Sequence, residues 1–160
     1  MNNKTLKVSK KLCAVTLWVH PEGRVVGSLF LRAQGTSDEV EEQPLGVLNR
    51  CNPFLVFKVD DPDELRFYNV KSIIRVEYES NTPETAKPMQ CHLHMMDGSF
   101  IHGTIFESLP PDRARLLDYL NRGEENFIKV HVEGGLIYLI NKSYINHVHV
   151  TEIGDAEGEA

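Results

Sequence analysis

Two stretches far apart in the chain, GVLNRCNPF at residues 46–54 and DYLNRGEENF at 118–127, share a Leu-Asn-Arg triplet followed by a phenylalanine. A recurring phrase constrains a fold strongly, because sequence that repeats marks a structural unit that repeats. Residues 15–78 laid over 91–150 extend the match. VTLWVHPEGRVVG lies over CHLHMMDGSFIHG without a gap, with Leu17 over Leu93 and Gly27 over Gly103. SLFL then meets TIFE, FLVFKV meets FIKVHV, FYNV meets LINK and IIRVEY meets INHVHV, so Asn69 stands over Asn141. The expected organisation is an N-terminal tail (1–14), a first β repeat (15–78), a linker (79–90), a second β repeat (91–150) and an acidic tail (151–160). The linker ESNTPETAKPMQ is polar and carries Pro83 and Pro88, a composition that separates packed units rather than joining one.

Each copy reads as strand, strand, helix-like segment, then three strands. In the second, residues 91–96 alternate, Asp97-Gly98 signals a hairpin, and FIHGTIF resumes as a strand. Pro110 and Pro111 suit a first helical turn, and Asp112 suits the positive end of the helix. Leu116, Leu117 and Leu120 form a narrow apolar stripe, with Gly123 placed to cap. FIKVHV and LIYLI bracket a second hairpin at Glu133-Gly134-Gly135, and INHVHV closes the unit. In the first copy Pro44 and Gly46 disfavour a continuous helix, so a loop with a short turn ending at Asn49 is expected there. Asn49 and Asn121 suit a left-handed helix terminus, and Phe54 and Phe127 are expected to start strands and point inward.

Each copy resembles a small barrel of the Sm-like type. Gly98, Gly103-Thr104-Ile105, Asp118, Asn121 and a closing strand over 145–150 fall in the family's order. The stretch between Gly103 and Asp118 is longer than the family's, and Gly46 stands over Asp118 in the first copy. The resemblance implies a mainly β fold: two tandem pseudo-repeats, each a small Sm- or SH3-like barrel or curled sheet with an inserted short helix. It also implies that Asp118 and Asn121 lie where the family contacts the uracil ring of RNA. The Leu-Asn…Phe phrase is similar, in addition, to one in a bacterial family to which no activity attaches.

For function, two readings of the phrase stand side by side. In one, Asn49, Arg50, Asn121 and Arg122 return the chain to the sheet. In the other their amides and guanidinia recognise a base or phosphate. A net charge of −6, from 17 basic and 23 acidic residues, weighs against nucleic acid, whose affinity rests on neutralised phosphates. Six of seven histidines lie in the second copy, and His92-x-His94 and His147-x-His149 each put two imidazoles on one strand face. If those strands pair, four imidazoles converge in a way that suits zinc, nickel or copper. The alternating Leu93, Met95, Val148 and Val150 claim the core, so the histidines are expected outside, as plain surface, a metal site or a pH-responsive interface. DDPDE at 60–64 reads as a solvated hairpin turn rather than a calcium loop, lacking the EF-hand spacing. Trp18 is expected on the outward face, where an aromatic can anchor a partner.

No nucleophile elbow, P-loop or dinucleotide fingerprint occurs, and no cofactor is expected. Three widely spaced cysteines and the absence of a long apolar run point to a cytoplasmic protein with reduced thiols and no membrane partner. The expected function is a non-enzymatic protein-interaction or self-assembly module, its partner another protein or a second copy. RNA binding or metal binding is the alternative.

Overall fold

A computed structural model of the protein describes residues 10–32, 42–107 and 116–150. The fold is mainly β: among these residues run ten strands, all paired antiparallel, and two short helices. The chain divides into two compact units, Met1–Ile73 and Ile74–Ala160.

In the first unit, β1 (Lys10–Val19), β2 (Gly23–Arg32), β3 (Phe54–Val59) and β4 (Glu64–Asn69) lie in the order β1-β2-β3-β4, and α1 (Pro44–Arg50) connects β2 to β3. Alternation decides the faces. Val15, Leu17 and Val19 of β1, Val25, Leu29 and Leu31 of β2, and Leu55, Phe57 and Val59 of β3 are buried. Trp18, between two of these, is half-buried on the other face and pairs with Arg24. β1 begins at Lys10, inside the stretch assigned to the tail.

The expected loop before Asn49 is instead a seven-residue helix. Pro44 sits in its first turn, where a missing N–H costs nothing, and burial of Val47 and Leu48 outweighs the modest penalty of Gly46.

The second unit takes in β5 (Ile73–Glu79), apart from its first residue, then β6 (Pro88–Met95), β7 (Phe100–Phe106), α2 (Leu116–Leu120), β8 (Phe127–Val132), β9 (Leu136–Asn141) and β10 (Ile145–Val150). Its strand order is β10-β6-β7-β8-β9-β5. Among the described residues no pairing closes this order, or that of the first unit, into a ring. Met89, Cys91, Leu93, Ile105, Ile128, Val130 and Ile140 form the core with Tyr119 of α2.

Tyr119, not Leu117, is the inward residue beside Leu116; Leu117 is exposed, so the expected three-leucine stripe is corrected. Gly123, Asn49 and Asn121 do not take the left-handed conformation assigned to them: the glycines with positive φ are Gly23, Gly98, Gly134 and Gly135, and no other described residue has one. Carbonyls at the end of α2 and just beyond it are met by Lys142, whose ammonium donates to Leu120 O and Arg122 O at 2.9 Å each. Pro110, Pro111 and Asp112 lie outside the described residues, as do residues 151–160.

The two units share several local solutions. Asn69 and Asn141 each end a strand opposite a phenylalanine, Phe54 and Phe127 respectively. Each accepts a backbone N–H two residues on at 2.9 Å, opening a 3-10 turn before the next strand. Gly27 and Gly103 sit where the neighbouring strand comes closest. A Cβ on Gly27 would meet the Lys58 carbonyl and lie 2.6 Å from Phe57 Cε2; one on Gly103 would meet Val130 and lie 2.7 Å from His131 O.

Candidate functional site

Two surfaces, one in each unit, carry side chains that the core does not explain. The first is the outer face of the β3–β4 hairpin. Because Leu55, Phe57 and Val59 point inward, parity turns Phe54 and Val56 outward, and the register brings Phe67 beside Val56 and Leu65 beside Lys58. Phe54 is 57%, Leu65 58% and Phe67 70% exposed, so Phe54 does not enter the core as expected. With Phe30, Val47 and Val56, Phe54 and Leu65 border a groove of about 500 Å³. Contiguous apolar area of this kind marks contact surfaces. The inner edge of β4 is polar. Arg66 bonds Glu64 at 2.7 Å, Glu22 at 2.9 Å and the Tyr68 hydroxyl at 2.7 Å, and Tyr68 donates to Glu22. Asp63, in the turn, pairs with Lys58, as a solvated hairpin would have it.

The second surface is the outer face of β10, β6 and β7. β10 does pair with β6, and the register sets His147 beside His94 and His149 beside His92. β7 adds a histidine that spacing alone did not single out: His102 stands opposite His92, and Phe100 opposite His94. Two cross-strand rows result, His149–His92–His102 and His147–His94–Phe100. In the first, the His92 and His102 rings are 4.1 Å apart between centroids, with Nδ1 to Nδ1 at 3.1 Å, and His149 is 6.0 Å from His92. In the second, His94 and His147 stack at 4.2 Å. Cys91, Leu93 and Met95 beneath are buried, so the imidazoles face outward as alternation required. Partial desolvation, then the neighbouring His102, His149 and His94, hold the His92 imidazole below the ordinary histidine value. His131 stands apart, its Nε2 3.1 Å from Glu84; burial outweighs that carboxylate and lowers its pKa too.

The residues of the Leu-Asn-Arg phrase are placed within their own units as follows. Arg50 bonds the Glu42 carboxylate at 2.8 and 3.2 Å, and Glu42 also accepts from the Arg32 backbone at 2.8 Å. Burial raises the Glu42 pKa, but the bonds from Arg50 and Arg32 outweigh it and hold the carboxyl below its usual range. Arg122 pairs with Glu107 at 2.8 Å and lies 5.2 Å over the Tyr119 ring. Each arginine thus ties the end of a helix to the segment that precedes that helix. Asp118 is half-buried in α2, Asn121 is exposed just after it, and Asn49 is half-buried within α1. Among the described residues no helix is long and apolar enough to cross a membrane. Set against known protein families, curated proteins and solved structures, the chain matches none of them.

Proposed function

We propose that the protein is a non-enzymatic, cytoplasmic module that assembles with copies of itself by strand addition. In this reading it consists of two tandem Sm-like repeats, β1–β5 and β6–β10. The observation that carries this is the contrast between two hairpins. Phe54, Leu65 and Phe67 are exposed on β3–β4, whereas Phe127, Ile137 and Leu139, their counterparts on β8–β9, are buried. β9 is paired along its outer edge by β5, with Val76 opposite Leu139 and Tyr78 opposite Ile137. Among the described residues β4 pairs only with β3 and β10 only with β6, each at an end of the strand order.

The repeat alignment makes β4 the counterpart of β9 and β10 the counterpart of β5. The pairing of β5 on β9 is therefore the template for β10 of a second copy on β4, with Val148 opposite Phe67 as Val76 is opposite Leu139. Strand addition would pair the main-chain groups along the outer edges of β4 and β10 and cover Leu65 and Phe67. An exposed apolar edge strand is otherwise a liability that proteins blunt or cover. The shared asparagine-capped turns and the two close-approach glycines support the common plan. Free thiols at Cys13, Cys51 and Cys91 agree with a reducing compartment. RNA recognition has less support, because Arg50 and Arg122 are held by carboxylates.

Sedimentation velocity from micromolar to near-millimolar protein tests this. Reversible association is expected, abolished in Phe67→Lys. A cysteine pair, Phe67→Cys with Val148→Cys in a background lacking the native thiols, is expected to give a disulfide between copies. A protein that stays monomeric throughout, or associates equally well as Phe67→Lys, would sink the proposal.

A further inference from the structure

The histidine face of the second unit owes nothing to the proposed edge pairing and carries an inference of its own. We infer that the cross-strand row His149–His92–His102 is a binding site for one divalent transition-metal ion of the zinc, nickel or copper class. His92 and His102 would be the first two ligands and His149 the third.

Geometry favours the central pair. Metal–imidazole bonds of about 2.0–2.1 Å put two ligand nitrogens on one ion no more than about 4.2 Å apart, and nearer 3.0–3.4 Å when the ligands are adjacent. The Nδ1 atoms of His92 and His102 are already 3.1 Å apart. They are held there by two paired strands rather than by a loop, since His92 and His102 are register partners in β6 and β7. Cross-strand neighbours on one face keep their Cβ atoms within about 5.5 Å, a separation the sheet enforces. A hydrogen bond between these facing nitrogens needs a proton on one of them; with that ring in its other neutral tautomer, the proton on Nε2, both Nδ1 lone pairs would be open to a metal ion.

The third ligand needs only a side-chain rotation. Among the described residues no three His, Cys, Asp or Glu side chains already converge on one point. His149 lies on the far side of His92 in the same row and is exposed. Exposed side chains change rotamer on the ps–ns scale, so turning this ring toward the ion is not a barrier. Imidazole is a ligand for borderline ions, whereas calcium and magnesium choose oxygen, and no carboxylate stands in this row. The second row is poorer, because His94 and His147 stack face to face, 12° between planes, and aim their nitrogens along parallel planes rather than at a common point.

Titration calorimetry of full-length, tag-free protein with zinc chloride and with nickel chloride reads the site. One equivalent per chain is expected. His92→Gln and His102→Gln should each lose more than the roughly tenfold that losing a supporting partner of a metal ligand costs. His149→Gln should weaken binding by less, and His147→Gln should leave it unchanged. Circular dichroism guards against misfolding, since these side chains are outside the core. Cobalt(II) loading should shift the imidazole proton resonances of His92 and His102 first. Substoichiometric uptake by the wild-type chain would overturn the site. Undiminished affinity in the folded His92→Gln/His102→Gln double variant would do so equally.

Discussion

The β3–β4 and β8–β9 hairpins are built alike yet bury their outer faces to opposite extents. Each begins with a phenylalanine opposite an asparagine, and each ends in a 3-10 turn capped by that asparagine. On the inner face both are closed. On the outer face Phe127 and Leu139 have no exposed surface, while Phe54 is 57% and Phe67 70% exposed. Identical local sequence logic therefore does not settle burial; the neighbour along the strand edge enters the outcome. β9 has β5 beside it, and the segment that follows β5 sends Glu84 to Lys129 and His131 of β8. Among the described residues β4 has no such neighbour.

The sharpest way to break this contrast is to truncate the paired phenylalanines. Phe127→Ala should cost about 3–5 kcal/mol, the range for removing a fully buried ring. Phe54→Ala in dilute protein should stay within about 0.5 kcal/mol, as exposed substitutions do. Denaturant melts at low concentration measure both. Equal losses would mean that Phe54 is covered in solution even in the isolated chain, and the contrast would vanish.

Next in size is the common feature beneath the contrast. Gly27→Ala and Gly103→Ala each press a methyl into the facing strand, onto the Lys58 carbonyl in one case and onto Val130 and the His131 carbonyl in the other. Backbone cannot move aside as a flexible side chain can, so each should cost about 1–3 kcal/mol. If one substitution is harmless and the other is not, the two units do not share this close crossing, and the tandem-repeat reading weakens.

Much of the fold was legible because strands announce themselves by period two. The two turns at Asp97-Gly98 and Glu133-Gly135, the polar turn at 60–63 and the outward histidines all follow from alternation. That His147 stands beside His94 and His149 beside His92 needed only the assumption that first and last strands pair, which β6 and β10 do; the four imidazoles fall in two rows rather than at one point. What escaped was non-local or overridden. α1 forms despite Pro44 and Gly46 because burial of Val47 and Leu48 decides. The exposure of Phe54 was within reach, since counting parity from Leu55 and Phe57 turns it outward. No local signal, by contrast, could show that Arg50 and Arg122 would find Glu42 and Glu107 across intervening chain.

Acidification separates the units more gently. His92 and His131, both in the second unit, hold their protons less well when folded than the ordinary value of 6.5. Between that value and their folded pKa values the unfolded chain binds more protons than the native one, so stability is fully present above pH 6.5 and falls as pH drops below it. His131→Gln should flatten this decline, and a melt followed by hydrogen exchange should place the loss in β6–β8. A decline of the same depth in strands β1–β4 would show that these histidines are not its source.

The smallest effect concerns the shared phrase itself, and it tests what the phrase is for. Arg50 and Arg122 each bridge to a glutamate at partly exposed positions, side chains 38% and 31% accessible. Pairs this wet contribute about 0.2–1 kcal/mol, so Arg50→Ala and Arg122→Ala should shift stability by no more than that. Glu42→Gln and Glu107→Gln should mimic them, because either change removes the same bridge. A recognition role behaves differently: losing an arginine would weaken oligo-uridine binding, with a shallower salt dependence, while losing the glutamate would free the guanidinium and strengthen it. Fluorescence titration with oligo-uridine at two salt concentrations distinguishes the cases. Matched small stability losses, with no change in oligo-uridine binding, would make the bridge the function of the repeated Leu-Asn-Arg, holding each helix end to the chain that leads into it. Opposite effects on binding from the arginine and glutamate variants would return the phrase to the recognition reading.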